Sequence, residues 1–307
     1  MGIEPVTLLP GPLVGVEWLA CNVNHVAVLD ASIAPHLAAD RHIPGARRFD
    51  IDTEFSDPDS DLPHTMPDAT HLQERLRAIG VNESSTVVVY DAAGIYSAPR
   101  AWWMLKAAGI GRVAVLDGGL PAWEAAGQAV DAGEARYDGE AGNVVVSIDA
   151  GAFVDAEAVA AVLAGDGDAV VLDARSRERF GGSAPEPRPG LRAGHMSGSA
   201  NLPFAELVRD GRMASVPELR RAFEEAAPGV VRGERSLITS CGSGVTACVL
   251  ALAAEYAGEP DVKVYDGSWA DWGREDPTGT RPIESVGRTD SAPNGFRRWQ
   301  DSPRIRG

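Results

Sequence analysis

Ser236-Leu237-Ile238-Thr239-Ser240-Cys241-Gly242-Ser243-Gly244-Val245-Thr246-Ala247 reads as a short β-branched and apolar run, a tight turn and the first turn of a helix that continues to Tyr256. Two glycines let the backbone curl, so that successive N–H groups can point into one cup. The N-terminus of the following helix adds positive potential on the same side. A sulfur anion at Cys241 would be stabilised there, and so would a persulfide left on it. The other reading is a buried Cys at a strand end, since Cys is among the most buried residue types. Cys248, seven residues on in an apolar helix, fits core packing, and Cys21 has no flanking motif.

Working outward, the pattern repeats. Val26 to Leu29, Thr86 to Tyr90 and Arg112 to Leu116 are apolar runs that each end at an Asp, and Ser97 to Ala108 has helical spacing between the last two. Ala169 to Leu172, Ser236 to Ser240 and Val262 to Tyr265 repeat the rhythm. Such βαβ alternation predicts an α/β fold in which each unit is a mainly parallel sheet with helices on both faces. The landmarks recur at offsets of 143 (Asp30 to Asp173), 153 (His42 to His195), 150 (Asp91 to Cys241) and 149 (Asp117 to Asp266). Near-constant offsets predict a duplicated domain. We expect a first domain over 1–135, a linker over 136–150, a second domain over 151–285 and a basic tail over 286–307. The jump in offset locates a Pro/Gly-rich insertion from Phe180 to Leu191, a length of loop more often functional than structural.

Composition narrows the function. Of 307 residues, 44% are hydrophobic and 23% charged, as in ordinary globular proteins. Lys and Arg number 28 against 44 Asp and Glu, a net charge of -16, which disfavours nucleic acid as a partner. No apolar run approaches the ~20 residues of a membrane span, and the N-terminus has no basic region of a secretory signal. Three cysteines are too few and of the wrong parity for a disulfide framework, so a reducing, cytoplasmic setting is expected. They lack C-x-x-C spacing, so no metal site is expected. A phosphatase would need an Arg six residues after the Cys, where Ala247 stands.

With these features the chain resembles the tandem-domain rhodanese family, the thiosulfate and 3-mercaptopyruvate sulfurtransferases. The resemblance rests on His42-Ile-Pro-Gly-Ala46, Phe49-Asp-Ile-Asp52, Tyr90-Asp91, Ser97-Ala-Pro-Arg-Ala-Trp-Trp103, Asp117-Gly118-Gly119, Asp173-Ala-Arg175, Gly194-His195, Cys241-Gly-Ser-Gly-Val-Thr246 and Asp266-Gly-Ser-Trp269. It implies two rhodanese-like domains, of which only the second carries the nucleophile, Cys241. Asp91 takes its place in the first. The loop Gly242-Ser243-Gly244 implies 3-mercaptopyruvate as the sulfur donor, with thiosulfate as the alternative. Loop residues Gly242, Gly244, Val245 and Thr246 are implied to bind the small anionic donor. Arg179 and Arg188 would hold its carboxylate and keto oxygen, unless they are surface arginines paired with Glu178 or Glu186. Ser243, His64 and Asp52 would form a proton relay, although Ser243 could instead cap loop N–H groups and His64 could be a solvated loop histidine. Arg175, His42 and His195 are expected to be structural. The implied acceptor is a thiol such as reduced thioredoxin, or cyanide, and no cofactor is required.

Overall fold

The computed structural model describes residues 8–37, 40–259 and 261–285, with the backbone of 288–289. The rest of the basic tail, with Arg297, Arg298, Arg304 and Arg306, lies outside the described residues. In the first half, strands β1 (Leu13–Val14), β2 (Ala27–Asp30), β3 (Arg47–Arg48), β4 (Val87–Tyr90) and β5 (Val113–Leu116) form one sheet in the order β1-β5-β4-β2-β3. In the second, β6 (Phe153–Val154), β7 (Val170–Asp173), β8 (Ala200–Asn201), β9 (Leu237–Ser240) and β10 (Val262–Tyr265) take the same order, β6-β10-β9-β7-β8. Every pairing in both sheets is parallel. The two sheets are therefore one topology used twice, as the offsets predict.

The long strands are apolar along their whole length because both faces are covered. Val87 and Val89 of β4 face one core, while Val88 and Tyr90 face another. The helices are α1 (Val16–Asn22), α2 (Ala69–Ala78), α3 (Ala98–Ala107) and α4 (Gly119–Ala125) in the first half. In the second they are α5 (Ala156–Leu163), α6 (Arg177–Phe180), α7 (Val216–Ala226), α8 (Ala247–Ala257) and α9 (Ser268–Trp272). Helices α3 and α8, which follow Asp91 and Cys241, are buried nearly all round and pack on each other. A helix apolar on every side belongs inside a protein. These two fuse the halves into one continuous core that includes Trp102, Leu105, Cys248 and Leu250.

The stretch 136–150 has no helix or strand, yet it is stitched to the first half. The N–H groups of Gly142, Val144 and Ser147 bond Arg77, Val81 and Ala108 carbonyls, and Val144 and Val146 are buried. His42 and His195 tie turns at matching places, bonding Gly133 and Phe180 carbonyls at 2.9 and 2.8 Å. Among the described residues no helix is long and apolar enough to cross a membrane. Register brings Asp30 beside Tyr90 and Asp173 beside Ser240 at the carboxyl ends of the strands, the edge at which open α/β sheets bind ligands.

Candidate active site

Cys241 follows β9 directly and is only 2% exposed. The Asp266-Gly-Ser-Trp269 segment shapes its loop. Ser268 Oγ accepts the N–H groups of Cys241 and Gly244, both at 3.1 Å, and donates to the Tyr265 carbonyl at 2.9 Å. The N–H groups of Trp269 and Ala270 bond the Cys241 and Gly242 carbonyls at 3.0 and 2.8 Å. Three consecutive residues, Ser268, Trp269 and Ala270, thus hold both ends of the loop.

The first half shows what this kind of loop holds. Asp91, at the corresponding place, is fully buried. Its carboxylate accepts N–H groups from Ala93, Tyr96, Ser97 and Ala98 at 2.8–2.9 Å. Burial pushes the Asp91 carboxyl up from its ordinary range, and the four amides work against that. The strand–loop–helix unit gathers amide dipoles around a side chain that can carry negative charge.

Over the Cys241 loop lies His64, brought from the first half. Its Nδ1 is 3.0 Å from Ser243 Oγ and its Nε2 is 2.8 Å from Asp52 Oδ1. An ionised carboxylate only accepts, so Nε2 carries the hydrogen and Nδ1 of the neutral ring accepts from the Ser243 hydroxyl. Burial lowers the His64 pKa below the ordinary value, opposed by Asp52; Arg100 and Arg188 also lower it. The ring is therefore neutral at neutral pH.

These groups open into a cavity of about 530 Å3. Cys241, Gly242, Ser243, Val245 and Thr246 form its floor, Asp52 and His64 one wall, and Arg175, Arg179 and Arg188 another. Gly244 does not line it, contrary to the binding role expected. Its φ of +78° turns the chain, and a Cβ there would stand 2.9 Å from the Asp266 carbonyl oxygen. Gly244 shapes the loop. Tyr96, Phe204, Ile33 and Ala34 also line the cavity. Sequence reasoning missed them, because irregular segments remote in the chain bring them together.

The arginines divide the work. Arg175 is buried, forks onto Asp173 at 2.7–3.2 Å, stacks on Trp269 and reaches Glu186 at 2.8 Å. Arg179 also bonds Glu186, at 2.5 and 3.3 Å, while its Nη2 would stand 3.0 Å from a Cβ on Gly242. Arg179 is thus paired with Glu186 and also leans over the Cys241 loop. Arg188, which also lines the cavity, has no ion-pair partner among the described residues.

The rhodanese-like domain model matches this chain twice, over residues 16–126 and 155–275. The chain belongs to the rhodanese family. It is a tandem rhodanese, with the two α/β domains that the resemblance implied. It is 36% identical over 282 residues to a 3-mercaptopyruvate sulfurtransferase of Escherichia coli, covering 88% of this chain and 98% of that protein. It is 39% identical over 280 residues to the 3-mercaptopyruvate sulfurtransferase of Rattus norvegicus, covering 85% and 91%. The solved structure of SseA from Escherichia coli, described as a 3-mercaptopyruvate sulfotransferase with the rhodanese fold, superposes with a TM-score of 0.75 at 34% identity, over 84% of this chain and 99% of that one. In this rhodanese the cavity combines a thiol, a hydroxyl linked to a neutral imidazole, and arginine side chains. That set suits nucleophilic attack on an anionic substrate coupled to movement of one proton.

Proposed function

We propose that the protein is a 3-mercaptopyruvate sulfurtransferase working through a persulfide on Cys241. The observation that carries this reading is the Asp52–His64–Ser243 chain beside Cys241, because the mercaptopyruvate carbon that loses sulfur must gain a proton. The Cys241 thiolate attacks the substrate sulfur and forms an S–S bond. The C–S bond breaks, and its electron pair moves into the enolate of pyruvate. Arg188 and Arg179 neutralise the carboxylate and the enolate oxygen. The proton that leaves the substrate thiol ends on the former CH2 carbon, relayed by Ser243 and His64. Cys241 persulfide and pyruvate result, with no other co-reactant. A second thiol, such as that of reduced thioredoxin, then attacks the outer sulfur, or cyanide does, and the Cys241 thiolate returns. The three free cysteines suit a reducing, cytoplasmic setting.

Steady-state rates with each donor test the substrate. We expect kcat/KM for 3-mercaptopyruvate to exceed that for thiosulfate; the reverse order overturns the donor assignment. Intact-protein mass after single turnover tests the nucleophile. The wild type should gain one sulfur, and Cys241→Ser none; a sulfur retained by that variant would refute the persulfide.

A further inference from the structure

We propose that Arg100 and Asp266 are positioning residues that hold the His64 loop, across the boundary between the halves, in register with Ser243. This rests on the relay reading above. Arg100 belongs to α3 of the first half and is fully buried. Its Nη1 lies 2.7 Å from Asp266 Oδ1 of the second half, and its Nη2 donates to the His64 carbonyl at 2.5 Å. Asp266 Oδ2 accepts the Met66 N–H at 2.8 Å. One ion pair therefore grips the backbone at His64 and again two residues later.

The grip has something to hold. His64 has φ +63°, a left-handed conformation that a residue with a Cβ keeps only where its surroundings enforce it. The same pair sits beneath the Cys241 loop. A Cβ on Gly244 would stand 3.2 Å from Arg100 Nη1 and 2.9 Å from the Asp266 carbonyl. Donor and acceptor of the His64–Ser243 bond are thus both referenced to one ion pair. The other seam repeats half of this device within the chain. Asp117, the counterpart of Asp266, accepts the Met213 N–H at 2.8 Å. The arginine is not general: the position 150 residues after Arg100 is Leu250, and the Asp117 seam has the half-exposed Arg212 at 3.6 Å. The buried cation occurs at the seam that faces Cys241.

Arg100→Lys keeps the charge and removes the fork. Three readouts decide: kcat and KM for pyruvate release, the rate of Cys241 alkylation by iodoacetamide, and the NMR titration of His64. We expect kcat to fall about tenfold or more, KM and alkylation to change less than about threefold, and His64 to titrate nearer the ordinary imidazole value as its loop reaches solvent. In a His64→Ala background the same substitution should cost less than about twofold. An equal loss in both backgrounds, or an unchanged kcat and an unchanged His64 titration, overturns the proposal. Should Arg100→Lys fail to fold, Asp266→Asn carries the same readouts, since it keeps an acceptor for Met66 but not the ion pair. If the wild type releases no pyruvate, the donor reading fails, and the His64 titration alone decides the positioning.

Discussion

His64 works only if one ring nitrogen donates while the other accepts, and Asp52 sets that choice. Asp52→Asn or His64→Ala should therefore lower kcat for 3-mercaptopyruvate by about 10²-fold, the ordinary scale of general acid–base catalysis. The pH dependence has a definite sign. Burial lowers the His64 pKa, so the folded protein resists protonating it. The acid limb of kcat should have its midpoint below about 6.5 and should disappear in His64→Ala. The same group favours the folded state fully above about 6.5, and that contribution is lost as pH falls through the lowered value. Urea titrations of wild type and His64→Ala at several pH values would check this. Cys241 and Ser243 stand out in the sequence because their loop is a local motif, whereas His64 and Asp52 entered only through the family resemblance, because His64 meets Ser243 across 179 residues of chain. Arg100 was not legible, because a side chain that crosses between halves leaves no mark in the spacing of its own helix. Glu186 was visible only as an ordinary partner for Arg179. Its buried place between Arg175 and Arg179 depends on how the inserted loop folds back.

At the scale of elements, the strands were readable to within a residue because a run buried on both faces must be apolar throughout. The two-residue strands β1, β3, β6 and β8 were not, since two residues carry no periodicity. The loop after β9 shows what a glycine contributes. Gly244 has φ +78° and faces Asp266 at close range. Gly244→Ala should cost about 1–3 kcal/mol in denaturant unfolding and should slow persulfide formation, since the loop must shift where Arg100 and Asp266 lie beneath it. Gly165→Ala offers a control. It has similarly positive φ but open space around it, on a turn far along the chain from Cys241. It should cost stability without slowing sulfur transfer.

Taken whole, the molecule shares a central core between the two halves, with a further core on the outer face of each sheet, where the sequence suggested two units on a linker. Helices α3 and α8 are each other's cover, and His64, backed by Asp52, and Arg100 reach the Cys241 loop from the first half. Calorimetry should show a single unfolding transition. Residues 151–285 expressed alone should expose the α8 face, associate or aggregate, and turn over 3-mercaptopyruvate at least about 10²-fold more slowly than the full chain; two separate transitions, or an active isolated half, would contradict this. The duplication was legible from the offsets. Its interlocking was not, because contacts between halves have no counterpart within either repeat.

The paired seams at Asp117–Met213 and Asp266–Met66 carry a consequence for ancestry. Each half reaches into its sibling through the same kind of backbone grip, so neither is a module that can be exchanged freely. A chimaera joining this N-terminal half to a relative's C-terminal half keeps this grip only if the relative supplies a carboxylate at the place of Asp266 to meet Arg100 and the Met66 N–H. Divergence in one half constrains divergence in the other, even at positions that never meet the substrate.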